Sequence, residues 1–119
     1  MLPKKDLVRL RHILAAAQEA AASAEGRTDS DLTADRPLMH TLVHCLETIG
    51  EAANQVSIQT RVSLPQVSWK PMVDMRNRLI HAYHDVNLTV VWQTVTEDLP
   101  PLIAALEQVL AEHDSGQLI

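Results

Sequence analysis

Apolar residues return at intervals of three and four over most of this chain, and that spacing predicts helices. From Asp6 onward, Leu7, Leu10, Leu14, Ala17 and Ala21 can share one buried face, with Arg9, Arg11, Gln18 and Glu19 at other azimuths. The small side chains of Ala20, Ala21, Ala22 and Ala24 would let a neighbouring helix approach closely, and Gly26 is a stop signal after a first helix ending near Ala24. Residues 25–36 carry Arg27, Thr28, Asp29, Ser30, Asp31 and Asp35 with little apolar surface, so they read as a polar, mobile loop. Asp35 followed by Pro37 starts a second helix, predicted over 37–56. Its apolar stripe is Leu38, Leu42, Leu46, Ile49, Ala53 and Val56. A second, polar stripe of His40, His44, Glu47, Glu51 and Asn54 runs beside it. Two ordered stripes suit two different neighbours, although a plainly solvated polar face fits the pattern as well. Gly50 is a candidate close-packing point.

Residues 57–66 form a connector with a short helical turn through Ile58 to Val62, broken at Leu64-Pro65. Ser68 is a candidate cap for a third helix that carries Pro71 in its first turn and ends near Tyr83 or His84. Asn87 can cap a fourth, which begins near Leu88 and buries Val91, Val95, Leu99, Leu102, Leu106, Val109 and Leu110. Pro100-Pro101 removes two N–H donors and predicts a kink or break there. Residues 113–119 are polar and read as a frayed end. The whole, 1–119, is expected to be one all-α domain, an antiparallel bundle of four to five helices.

Composition agrees with close-packed helices: 46% hydrophobic residues, no Phe, 3% aromatics and three Gly. The single Cys45 excludes an internal disulfide, and a reducing cytoplasm is the expected location. No apolar run approaches the roughly 18 residues that cross a membrane, so no membrane association is expected. A net charge of -5 argues against capture of nucleic acid by bulk electrostatics, so any RNA contact must be local.

Chemistry concentrates between Trp69 and Trp92, a window that holds every Trp and Tyr of the chain. Arg76-Asn77-Arg78-Leu79-Ile80-His81-Ala82-Tyr83 places two guanidiniums, a carboxamide, an imidazole and a phenol on one predicted helix. These types suit phosphodiester cleavage without a metal. An imidazole, with an unperturbed pKa of about 6.5, can take and return the proton of a ribose 2'-hydroxyl. A guanidinium can brace the charge that develops on phosphorus. In an ideal helix Arg76 and His81 stand about 140° apart, so their convergence needs an extended Arg76, a distorted helix end or a second subunit. Asn77 lies one turn from His81 and can orient it. Lys70, Arg76 and Arg78 against the single Asp74 make residues 69–84 locally basic, with Lys70 and Arg78 as candidate substrate-binding groups. Glu51, on the polar stripe, is expected to face the third helix and orient Arg76 or His81. His40 and His44 at i, i+4 could touch a metal but lack a second ligand set, and no metal or other cofactor is expected.

The Arg76-to-Tyr83 string resembles the Arg-x4-His-x-Tyr motif of the HepT-like toxins, a branch of the HEPN superfamily of helical ribonucleases. Leu46-Glu47-Thr48-Ile49-Gly50-Glu51-Ala52-Ala53, then Trp69, Val90-Val91-Trp92 and Leu99-Pro100 are similar to that family too, so the resemblance spans roughly Leu7 to Leu110. It implies a HEPN-like fold and a metal-independent endoribonuclease site formed by Arg76 and His81 at the cleft of a homodimer. It further implies that Tyr83 matches the tyrosine that an MntA-type nucleotidyltransferase antitoxin modifies with AMP, silencing the toxin. His84 stands where an aromatic or apolar residue would be more usual. The alternative is a helical module without chemistry that holds a nucleotide or partner in the same basic cleft.

Overall fold

The apolar faces of the first two long helices meet: α1 (Lys4–Ala24) packs along α3 (Arg36–Gln55) in the computed structural model, which describes residues 2–79 and 86–116. On α3 all six predicted stripe residues, Leu38, Leu42, Leu46, Ile49, Ala53 and Val56, are buried. On α1 the stripe is turned relative to expectation. Leu10, Ile13, Ala17, Ala20 and Ala24 are buried, whereas Leu7, Leu14 and Ala21 are half-exposed. Gly26, at φ 74°, ends the helix where a residue with a Cβ would be strained.

The polar stretch after Gly26 is a helix, not a loop. Thr28 donates its N–H to Asp31 Oδ2 at 2.8 Å, starting α2 (Asp29–Ala34), and Leu32 is buried beneath it. Arg27 reaches Asp31 at 3.2 Å and Asp35 at 2.8 Å, so the charges that suggested a solvated loop instead tie it together. Both carboxyls are held below the usual range, Asp31 chiefly by the Thr28 N–H and Asp35 chiefly by Arg27. Asp35 also accepts the Leu38 N–H at 3.1 Å and so caps α3.

Past α3 the chain makes α4 (Ile58–Ser63), α5 (Trp69–Val73) and α6 (Met75–Leu79). The predicted third helix is therefore interrupted at Asp74. The ladder survives the bend, because Asp74 N–H reaches Lys70 O at 3.0 Å and Arg78 N–H reaches Asp74 O at 3.1 Å. Ser68 makes no capping bond with its side chain. Trp69 fixes the start instead, its indole N–H donating to Leu64 O at 3.0 Å.

The predicted fourth helix is three joined pieces: α7 (Leu88–Gln93), a π turn (Thr94–Asp98) and α8 (Leu99–Asp114). Asn87 caps α7, its Oδ1 accepting the Val90 N–H at 3.1 Å. Pro100 and Pro101 offer no N–H to the preceding turn, and their rings crowd its carbonyls. The backbone widens just before them, where Leu99 N–H reaches back five residues to Thr94 O. The hydroxyls of Thr94 and Thr96 bond the carbonyls of Val90 and Trp92 at 2.7 and 2.8 Å. Helix α8 continues through His113 and Asp114, which were expected to fray, and Asp114 pairs with Arg11 at 2.9 Å. The described residues are thus all-α, with α1, α3 and α8 long and the other segments short. No helix among them is long and apolar enough to cross a membrane.

One buried polar knot locks α1 to α4. Asp6, 4% exposed, accepts the Ser57 N–H at 3.0 Å and the hydroxyls of Ser57 and Thr60. Burial by itself would raise this carboxyl. The hydrogen bonds from Ser57 and Thr60, with the charge of Arg61, outweigh it and hold Asp6 below its ordinary value of 3.8. A folded pKa below the unfolded one means the knot stabilises fully above pH 3.8 and is lost as pH falls through the lowered value. Asp6→Ala is expected to cost about 3 kcal/mol at neutral pH, because three donors lose an ionised acceptor. Urea unfolding reads this as a lower midpoint at unchanged slope, with the gap to the parent chain closing in acid; an unchanged midpoint contradicts it.

Candidate active site

Helix α6 is positioned by what lies under it. Met75 and Leu79, one turn apart, are buried, and Met75 sits over Gly50 of α3. A Cβ at Gly50 would stand 3.1 Å from Met75 Cβ and 3.2 Å from the Met72 carbonyl oxygen, tighter than ordinary contact, so the α5–α6 bend lies closest to α3 where that atom is missing. With Met75 and Leu79 turned inward, Arg76 and Asn77 are exposed on the opposite side. Past α6, the Asn87 N–H donates to Leu79 O at 2.8 Å, which brings the start of α7 back to the end of α6. His81, Tyr83 and His84 lie outside the described residues, in the segment 80–85.

The three cations expected to share one basic cleft are divided. Lys70 pairs with Asp74 at 3.4 Å and Arg78 with Asp98 of the π turn at 3.5 Å. Lys70 and Arg78 line a cavity of about 540 Å³ floored by Met72, Met75, Leu99 and Leu102, and Arg76 is not among its lining residues. Arg78 and Arg76 are two residues apart, about 200° around the helix, so they serve different faces. Of the three, Arg76 alone has no carboxylate partner among the described residues. Asp98 was not legible as the partner of Arg78, since it lies twenty residues on, across a π turn that no periodicity announces.

Glu51 is exposed on α3, and no ion pair joins it to Arg76 among the described residues. The expected role of Glu51 was toward Arg76 or His81, and His81 lies outside the described residues. The polar stripe of α3 does have a structural counterpart in part. Arg36, His40, His44 and Glu47 line an open groove of about 560 Å³ that reaches Val86 and Leu88 at the head of α7. Among the described residues no three His, Cys, Asp or Glu side chains converge as metal ligands do. Cys45 is buried, and that burial, with Glu19 at 3.3 Å, pushes its thiol up to about 12, so it is no nucleophile.

The family model for Ribonuclease HepT-like proteins matches residues 6–109, from the buried Asp6 to Val109 in α8. The chain belongs to the HepT-like ribonuclease family. It is 32% identical over 104 residues to a protein of Caldanaerobacter subterraneus subsp. tengcongensis named as a candidate RNase, a match that covers 87% of this chain and 93% of that one. A protein of Thermococcus cleftensis named "Probable ribonuclease HepT" is 35% identical over 79 residues, 66% of this chain and 72% of its own. A longer Methanocaldococcus jannaschii protein, named for a gamma-glutamylcyclotransferase and an RNase, is 27% identical over 115 residues; the match takes in 96% of this chain but 52% of that protein. No solved structure matches the chain. The HepT-like match spans the helices on either side of α6, and the all-helical architecture of the described residues is consistent with it.

The seating of α6 on α3 gives a direct test. Gly50→Val is expected to lower stability by about 2 kcal/mol, because its side chain must displace a backbone carbonyl. Asn54→Ala, on the exposed stripe of the same helix, should stay within about 0.5 kcal/mol. Equal urea midpoints for the two variants would show that the close approach is not a constraint.

Proposed function

We propose that this chain is a metal-independent endoribonuclease and the toxin of a HepT/MntA-type toxin–antitoxin pair. The observation that carries the reading is Arg76, exposed and unpaired among the described residues, on a helix seated at Gly50 inside a HepT-like match over residues 6–109. In this reading His81 removes the 2'-hydroxyl proton and returns one to the leaving oxygen. Arg76 holds the phosphate and braces its added charge. Asn77, beside Arg76 on the exposed face, supports the same phosphate or the imidazole. Glu51 acts as a positioning group for His81, and Lys70 and Arg78 contribute positive potential from the neighbouring face rather than direct contacts.

The substrate is RNA. The site is composed at the cleft of a homodimer, which removes the need for Arg76 and His81 to converge within one helix. Tyr83 is the residue on which a nucleotidyltransferase antitoxin of the MntA type places AMP. The cytoplasm is the location this function requires.

Labelled RNA incubated with the chain and a chelator is expected to be cut. His81→Ala should lower the rate by about 10²–10⁴-fold and Arg76→Ala by about 10²–10³-fold. Mixing these two inactive variants should restore cleavage that neither shows alone, because a mixed dimer regains one intact site. Failure of the mixture to recover activity overturns the shared cleft. No cleavage by the unsubstituted chain, with partner binding retained, would instead favour the non-catalytic module.

A further inference from the structure

Leu88 lines two depressions of opposite character. On one side lies the open groove with Arg36, His40, His44 and Glu47, in which the guanidinium and two imidazoles offer hydrogen-bond donors and the one carboxylate stands about three turns of α3 from Arg36. On the other, between α2 and α7, is a cavity of about 460 Å³ with the half-buried Trp92 in its wall. That volume falls within the range of about 300–1,000 Å³ usual for small-molecule sites. Around Trp92 stand Asp29, Ser30 and Thr33 from α2, with Thr89 and Gln93 from α7. The two tryptophans are used differently. Trp69 spends its indole N–H on the Leu64 carbonyl and anchors a loop, whereas Trp92 faces a cavity rimmed by hydroxyls, an amide and a carboxylate.

Charge decides what such a cavity can take. Its described lining holds no cation, and its one ionised group is Asp29, which the Arg27 side chain leaves alone while bonding Asp31 and Asp35. A phosphate would meet repulsion from Asp29 and no counter-charge. A flat, neutral group that stacks on an indole and offers N–H donors at its edge would meet both kinds of partner. Nucleobases have this form, and unpaired RNA bases are read by stacking on aromatic rings with hydrogen bonds to their edges. Among the four, guanine presents adjacent N1–H and N2–H donors, which match the two oxygens of a carboxylate. A phosphate next to such a base needs a cation and donors within reach, and across Leu88 the groove supplies Arg36 with His40 and His44, Glu47 standing farther along the same helix.

We propose that the Trp92 cavity is a base-binding subsite for single-stranded RNA, selective for guanine through Asp29, with the flanking phosphates laid along Arg36, His40 and His44. The choice of RNA as the polymer rests on the ribonuclease reading above; the selectivity for a donor-bearing base rests on the cavity. The subsite is lined in part by α7, whose head is hydrogen-bonded to the end of α6, the helix that carries Arg76.

Binding is read in a His81→Ala background with three labelled pentaribonucleotides, UUGUU, UUAUU and UUUUU. The guanine oligomer is expected to bind about tenfold more tightly than the other two, and Trp92→Leu to weaken it by about tenfold or more. Asp29→Asn should abolish the guanine preference and leave UUUUU unchanged, a readout that general loss of structure would not give. Arg36→Ala should weaken all three alike and flatten their salt dependence. Equal affinity for the three oligomers overturns the proposal, as does an Asp29→Asn variant that keeps the preference. Should Trp92→Leu instead abolish capture of a nucleotidyltransferase while RNA binding stays base-blind, the cavity is a protein contact and the subsite is wrong. Guanine-selective binding without cleavage by the unsubstituted chain sinks the nuclease reading alone. Cleavage indifferent to base and to Trp92→Leu sinks the subsite alone.

Discussion

The absence of one carbon atom sets the geometry of this molecule. At Gly50 the α3 backbone lies so close to Met72 and Met75 that an added Cβ would press on both, 3.1 Å from Met75 Cβ and 3.2 Å from the Met72 carbonyl oxygen. Glycine costs a helix about 1 kcal/mol relative to alanine, so its presence mid-helix has to be offset by what the contact makes possible. What it makes possible is a short helix pinned by two inward side chains, Met75 and Leu79, with Arg76 and Asn77 turned to solvent. Orientation of the candidate chemistry thus follows from packing on the far side of the helix. No hydrogen bond to Arg76 is needed to direct it.

The second constraint works from the prolines. Two adjacent residues without N–H groups force the helix before them to widen, and the resulting π turn projects Asp98 toward Arg78. The pair is loose at 3.5 Å, and one Arg78 nitrogen, Nη1, is buried without a partner among the described residues. Arg78 is therefore committed to the junction of α6 and the π turn. Neighbouring arginines in one motif end up with separate duties, one holding helices together and one facing outward.

Much of the frame was legible because it depends on local rules. The six-residue stripe of α3, the Asp35 and Asn87 caps, the stop at Gly26 and the close contact at Gly50 all follow from spacing and residue type. What escaped was decided by distant partners. Leu32 is a single apolar residue in a charged stretch, and only the Arg27 pairs and the surface beneath make α2 a helix. The buried face of α1 runs through Leu10, Ile13, Ala17, Ala20 and Ala24, and which side of the helix its several neighbours would cover could not be read from the α1 sequence alone. At the site, sequence placed Arg76 on a helix but could not see that Lys70 and Arg78 are drawn to Asp74 and Asp98. Nor could it foresee that Trp92 and Asp29, far apart in the chain, wall one cavity.

Cys45 closes the account in a practical way. The Cys45 residue is 2% exposed and its thiol is pushed up to about 12, so at neutral pH it carries almost no thiolate and presents little surface to a reagent. Alkylating dyes and spin labels would pass it by in the native protein. A cysteine introduced on the outer face of α6 or α7 would then be the one reactive sulfur, letting a single probe report on this end of the molecule without first removing the native residue.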